Sequence, residues 1–149
     1  MPDELREIDV ELRRLIYDRL MGGGSVPVKK ALAKAAKIGM RETSEALERL
    51  AAAHMLVLQG DGEILMANPF SAVPTPFVVS AARHSWYGNC IWDAMGIAAM
   101  THRNILVEAS CSCCGSAMAL RVPQDCRADE RVAHFAIPAA HWWDDIVFN

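Results

Sequence analysis

The sequence predicts an α+β protein, and three observations carry that reading. Apolar residues recur at three- and four-residue spacing through the first third of the chain. A strand–turn–strand signature, "MLVLQ", "GDGE" and "ILMA", follows directly. The second half then sets one short apolar helix among short β-rich runs separated by turn residues. With 149 residues, 52% of them hydrophobic, the chain can build one domain or two very small ones.

Leu5, Ile8, Leu12, Leu15 and Ile16 share one face, which predicts a first amphipathic helix ended by "GGG" at 22–24. Pro27 suits the first turn of a second helix. That helix carries Lys29, Lys30, Lys34 and Lys37 and is expected to end near Gly39. A third is expected over roughly 41–53, with Ala46, Leu47 and Leu50 as its inner face. Three helices followed by a hairpin is the winged-helix pattern, here over residues 1–67.

Residues 68–79, "NPFSAVPTPFVV", hold three prolines among apolar residues, which argues against regular structure. The expectation is an extended, Pro-rich connector anchored by Phe70 and Phe77. Residues 80–149 then form the second domain. "SAARHSW" leads into a helix from about 90 to 100. "NILVEASC", "SCCGS" and "AMALRVP" read as strand, turn and returning strand. "RVAHFAIP" reads as another strand, "HWWDD" as a polar and aromatic link, and "IVFN" as the start of a further strand.

Net charge is −3 and the pI about 5.9, so no overall basic field draws the chain to nucleic acid or anionic membrane. No apolar run reaches the roughly 18 residues of a membrane span. The charged N-terminus, "MPDELREIDVELRRL", is not a signal peptide. A cytoplasmic location is therefore expected, with Cys90, Cys111, Cys113, Cys114 and Cys126 as thiols rather than disulfides. Four of these five cysteines lie between residues 90 and 114, a density that favours reactivity or metal binding.

A winged helix invites a DNA-binding reading, but the charges oppose it. Residues 1–70 hold ten Lys or Arg and eleven Asp or Glu. The third helix would be the reading helix, and it sets Glu42, Glu45 and Glu48 against Arg41 and Arg49. Phosphate contacts supply much of the affinity for DNA, and those carboxylates repel phosphate. A structural or lid role fits better.

"YGNCIWDAMGIAAM" (87–100) carries the chemistry. Asn89 is a good N-cap residue, which would put Cys90 in the first helical turn. A thiol there feels the positive end of the helix dipole and is expected to ionise more easily. Asp93, three residues on, projects from the same face. Trp86, Tyr87 and Trp92 could wall a pocket around the pair. A thiolate is a nucleophile and soft-metal ligand, and a partly desolvated carboxyl can hold and deliver a proton. His84 and His102 are candidate bases for a Cys–His hydrolase, without a spacing that commends them. The plainer alternative is a buried cysteine packing as a small hydrophobe, with Asp93 capping its own helix.

The ordered succession of "ILMANPFSAVPTPFVV", "YGNCIWDAMGIAAM", "ASCSCCGSAMALRV" and "HWWDDIVF" resembles the organomercurial lyase (alkylmercury lyase, MerB-like) family over nearly the whole chain. Cys-x-x-Asp at an aromatic and apolar helix start is its most specific piece. The resemblance implies a winged-helix-like domain joined to a mixed catalytic domain with small antiparallel sheets. It implies protonolysis of carbon–mercury bonds to Hg(II) and a hydrocarbon. Carried over, Cys90 binds the mercury, and Asp93 moves the proton and contacts the metal. Cys111, placed ahead of the Gly115 turn, would be structural. Hg(II) is soft and seeks thiolates, which agrees with these residue types.

The family's second mercury-binding cysteine would follow "WWDDIVF", at about the position after Asn149. The sequence ends there inside an apolar run, so the expectation is a C-terminally incomplete chain. Cys113 and Cys114 could substitute for the missing thiol or be plain turn residues. Zinc binding by Cys90, Cys111, Cys113 and Cys114 is a further option, though Cys-x-Cys-Cys is not a common zinc spacing. Cys126 reads as an exposed thiol, His134 as a strand residue and His141 as a surface residue. Trp142 and Trp143 read as core cover, and the eight methionines as core filling.

The expected function is thus organomercurial cleavage with no resident cofactor. Expected partners are a small organomercurial, Hg(II), small thiols that help product release, and a mercuric reductase, with no DNA and no membrane. The alternative is a winged-helix regulator or thiol-based metal-binding protein without lyase activity.

Overall fold

The structure is a computed structural model, and it describes residues 5–111, 113–124 and 132–147. The helical periodicity of the first third is realised in α1 (Glu7–Met21), α2 (Lys29–Ala36) and α3 (Met40–Ala52). Leu12, Ile16 and Leu20 of α1 pack with Leu32 of α2 and with Ala46, Leu47 and Leu50 of α3 in one buried cluster. α2 begins two residues after Pro27, and the Glu63 carboxylate accepts the Lys29 backbone N–H at 2.8 Å. That contact satisfies an orphan donor of the helix start from the following hairpin.

Asp9 is a charged residue buried at the heart of this helical unit. Its carboxylate accepts the Arg6 N–H at 2.9 Å, completing the start of α1. It also accepts two hydrogen bonds from the Arg49 guanidinium of α3, at 2.9 and 2.7 Å. This fork fixes α1 against α3 and satisfies the buried Asp9 charge. Arg49 is therefore turned inward instead of lying on a reading face.

β1 (Val57–Leu58) and β2 (Ile64–Ala67) form the expected antiparallel hairpin. Residues 68–79 depart from expectation. The segment is extended but not free of regular structure: it supplies β3 (Phe70–Ser71) and the start of β4 (Val78–Ala81). Its prolines fall outside both strands, so no ladder donor is lost and each strand stays short. Phe70 is fully buried, and Phe77 is half-buried against the core. β5 (His84–Gly88), β6 (Ile105–Ser110) and β7 (Ala117–Val122) complete one sheet, in the order β1-β2-β3-β5-β4-β6-β7. Every neighbouring pair is antiparallel. α4 (Ile91–Thr101) packs on the sheet through Ala94, Ile97 and Ala98.

The C-terminal expectations need correction. Residues 132–138 form no strand; Val132 and Ile137 are exposed and join no ladder. His134 lies in this irregular segment. "HWWD" belongs to a 3₁₀ helix, Ala139–Asp144, and Ile146 and Val147 lie in a turn. Apolar alternation alone does not make a strand; it needs a sheet edge in register. Trp142 and Trp143 do not cover the main core either. Trp142 donates to the Ile137 carbonyl at 2.9 Å, and Trp143 stacks on His54 with ring centres 4.1 Å apart. His141 is exposed and contacts the Asp144 carboxylate at 3.0 Å. Among the described residues, no helix is long and apolar enough to cross a membrane.

Candidate functional site

The junction of β5 and α4 positions the candidate pair. β5 ends at Gly88, where an added Cβ would lie 2.8 Å from the Ala94 backbone nitrogen. Only glycine lets strand and helix approach so closely. The chain then turns through Asn89 into α4. The N-cap is Cys90 itself rather than Asn89: its backbone is extended, and its Sγ accepts the Asp93 N–H at 3.5 Å. Thiol and carboxyl thus belong to one helix start, as the Cys-x-x-Asp spacing predicts.

Asn89 has a different task. Its side-chain amide donates to Asp93 Oδ2 at 2.9 Å and to Asn68 Oδ1 at 3.0 Å. The two N–H groups of one amide serve two acceptors. Asn68 is held in turn from α1, where the Tyr17 hydroxyl donates to its carbonyl at 2.8 Å. Among the described residues, the buried Asn89 Oδ1 has no hydrogen-bond partner. Tyr17 and Asn68 escaped the sequence reading. Their only signal was a polar residue within an apolar face and an Asn before a proline, and neither announces a partner so far along the chain.

Burial sets the electrostatics. It pushes the Asp93 carboxyl above its ordinary value, with the Asn89 hydrogen bond opposing. It also pushes the Cys90 thiol up. The Asp93 N–H opposes that rise, the Asp93 charge reinforces it, and a Trp92 backbone contact opposes it. The expected easier ionisation of Cys90 is therefore corrected: desolvation outweighs the helix start. The Tyr17 phenol is raised by burial, lowered by Arg13 and raised by the Asp93 charge. The site thus favours neutral acids, a carboxyl able to hold a proton beside a thiol that ionises when a metal replaces its hydrogen.

The expected aromatic wall does not form. β5 alternation sends Trp86 into the core, where its indole N–H donates to the Leu20 carbonyl at 3.0 Å. Tyr87 faces outward, and Trp92 is 60% exposed on the first turn of α4. His84 lies beside Trp86, at a ring-centre distance of 5.8 Å, and His102 is the left-handed C-cap of α4.

Cys111, Cys113 and Cys114 lie at the β6–β7 turn, as "SCCGS" predicts. Cys111 follows the last residue of β6 and is half-buried; Cys113 and Cys114 are exposed. Among the described residues, no three His, Cys, Asp or Glu side chains converge on a metal-sized site. Cys113 and Cys114 therefore do not complete a three-ligand site with Cys90 and Asp93, and the four-thiol zinc arrangement is not formed. Cys126 lies outside the described residues.

A profile of the alkylmercury lyase (MerB) family matches residues 70–148, just over half of the chain. No curated protein matches. Among solved structures, the fold is similar to the crystal structure of the mercury-bound form of MerB2, with a TM-score of 0.65 and 18% sequence identity. The superposition covers 85% of this chain and 61% of that one, so the chain spans less than two thirds of the length of that relative. At that identity the likeness speaks for the fold. The profile match embraces β3 through the 3₁₀ helix and contains both Cys90 and Asp93. On that match, the chain belongs to the alkylmercury lyase family.

Proposed function

We propose that this chain is an organomercurial lyase that cleaves carbon–mercury bonds by protonolysis at Cys90 and Asp93. One observation carries the reading: the thiol and a desolvated carboxyl share one helix start, and Asn89 clamps the carboxyl. The family membership supports it.

The residues divide the work as follows. The Cys90 thiol displaces a ligand from the organomercurial, forming the sulfur–mercury bond. Its proton passes to the ligand that leaves, or to Asp93 if that carboxylate is ionised. The Asp93 carboxyl then gives its proton to the mercury-bound carbon. The carbon–mercury electron pair forms the new carbon–hydrogen bond, and the hydrocarbon departs. Hg(II) stays on the Cys90 thiolate, with the Asp93 carboxylate free to contact it. Two small thiols then take the ion by exchange as Hg(SR)₂; one of their protons restores the Cys90 thiol, and the other returns to Asp93 or to solvent. Sulfur supplies affinity for the soft ion, and the carboxyl supplies the acid; neither group does both well.

No resident cofactor enters this scheme. A protein that consumes Hg(II), such as a mercuric reductase, would act downstream, in the cytoplasm. We read α1–α3 with the β1–β2 hairpin as a winged-helix-like support rather than a DNA reader, because α3 commits Arg49 to Asp9 and leaves its carboxylates outside.

The test is hydrocarbon release. Phenylmercury with excess small thiol should yield benzene from the wild-type chain and from neither Cys90→Ser nor Asp93→Asn. Benzene formation that survives in both variants would refute the assignment.

A further inference from the structure

The β6–β7 turn holds a second thiol arrangement that the lyase scheme leaves unused. Cys111 and Cys114 stand in a Cys-x-x-Cys spacing across a closed turn. The Cys111 N–H donates to the Ser116 carbonyl at 2.9 Å, and the Gly115 N–H donates to the Cys111 carbonyl at 2.8 Å. Gly115 takes the left-handed conformation, φ +72°, that this reversal needs. The Cys114 thiol lies 3.1 Å from Ser116 Oγ. The closed turn therefore sets two reduced thiols three residues apart, Cys111 half-buried and Cys114 exposed.

We propose that Cys111 and Cys114 form a dithiol site that binds one two-coordinate Hg(II) ion. Two considerations select that ligand. A linear soft ion is satisfied by two thiolates, whereas structural zinc asks for four ligands, and no third side chain of the described residues converges here. The exchange also balances: Hg(SR)₂ and two cysteine thiols give the bis-thiolate and two RSH, with no change of oxidation state.

The sheet register gives the site its place. Val78 of β4 pairs with Tyr87 of β5 on one side and Glu108 of β6 on the other. β5 and β6 therefore run the same way, and Cys90 and Cys111 each come three residues after that shared row. Both residues lie beyond the same end of the sheet, after strands that run two spacings apart, roughly 10 Å. An ion released at Cys90 thus has this dithiol at the same end of the sheet. Only that source of the ion rests on the lyase reading; binding itself does not.

The test keeps the two apart. Hg(II) chloride in excess monothiol is titrated into the full chain carrying Cys90→Ser and Cys126→Ser, which removes cleavage. Ultraviolet sulfur–mercury absorbance and native mass are read together. The expected result is one Hg(II) per monomer, retained against the monothiol. Adding Cys111→Ser or Cys114→Ser should weaken retention at least about tenfold through loss of chelation, while adding Cys113→Ser leaves it unchanged. Circular dichroism of each variant confirms the fold, and Cys111→Ala replaces any serine variant that fails it. No retention in the parent chain, or equal retention without Cys111 and Cys114, would overturn the proposal.

Discussion

The Asn89 amide lies 2.9 Å from Asp93 Oδ2 and 3.0 Å from Asn68 Oδ1, tying the candidate acid of α4 to the connector between the hairpin and the second half. Tyr17 extends the tie to α1 through the Asn68 carbonyl. The helical unit thereby reaches the site without supplying a reacting group.

Asn89 is a positioning residue in this arrangement, and its loss should show in the pH profile. Its hydrogen bond favours the ionised Asp93 and so lowers a carboxyl that burial has raised. Asn89→Ala should raise Asp93 further and carry the alkaline limb of the pH–rate profile upward. Turnover should fall roughly 10- to 100-fold as the carboxyl loses its fixed orientation. Benzene release measured across pH checks both. A lower rate with an unmoved alkaline limb would mean that Asn89 acts only on the fold.

Asp93→Asn should separate activity from stability. Asp93 binds its proton more tightly folded than unfolded. Folding stability therefore falls as pH rises from the ordinary value of 3.8 through the raised folded value, and the loss persists above it. An asparagine carries no charge to desolvate and can still accept from Asn89. The variant should be inactive, have a Tm at neutral pH above wild type, and lack that part of the pH dependence. Thermal denaturation at pH 4 and pH 8 reads the difference; a lower Tm for the variant at pH 8 would contradict it.

Asp9 predicts the opposite sign. The Arg49 hydrogen bonds hold its carboxyl below the ordinary value, against the cost of burial. The ion pair contributes fully above the unfolded value of 3.8, and its contribution is lost as pH falls through the lower folded one. Asp9→Asn removes the buried carboxylate of the ion pair with Arg49 and should cost about 3 kcal/mol. Urea denaturation at pH 7 measures that loss, and the gap from wild type should narrow below about pH 4.

Much of the framework was legible because it depends on local periodicity. The three N-terminal helices, the β1–β2 hairpin, α4 and the β6–β7 hairpin all follow spacings of two or three to four residues. The Cys90–Asp93 pairing was legible for the same reason: residues three apart at a helix start share a face whatever the rest of the chain does. The strand expected at "RVAHFAIP" was not realised in residues 132–138, because an apolar alternation becomes a strand only beside a sheet edge.

By itself, then, the sequence determined the order of helices and hairpins, the shared placement of thiol and carboxyl, and the resemblance to a mercury-handling family. Only the tertiary structure decided that the Pro-rich connector supplies a strand, that Trp86 is core while Trp92 is exposed, and that burial raises Cys90. It alone joined Tyr17, Asn68, Asn89 and Asp93, and gave Cys90 and Cys111 one end of the sheet. The physical reason is range. Backbone periodicity and side-chain spacing act over a few residues, whereas desolvation and hydrogen-bond partnership depend on segments 21 to 51 residues apart that meet only on folding.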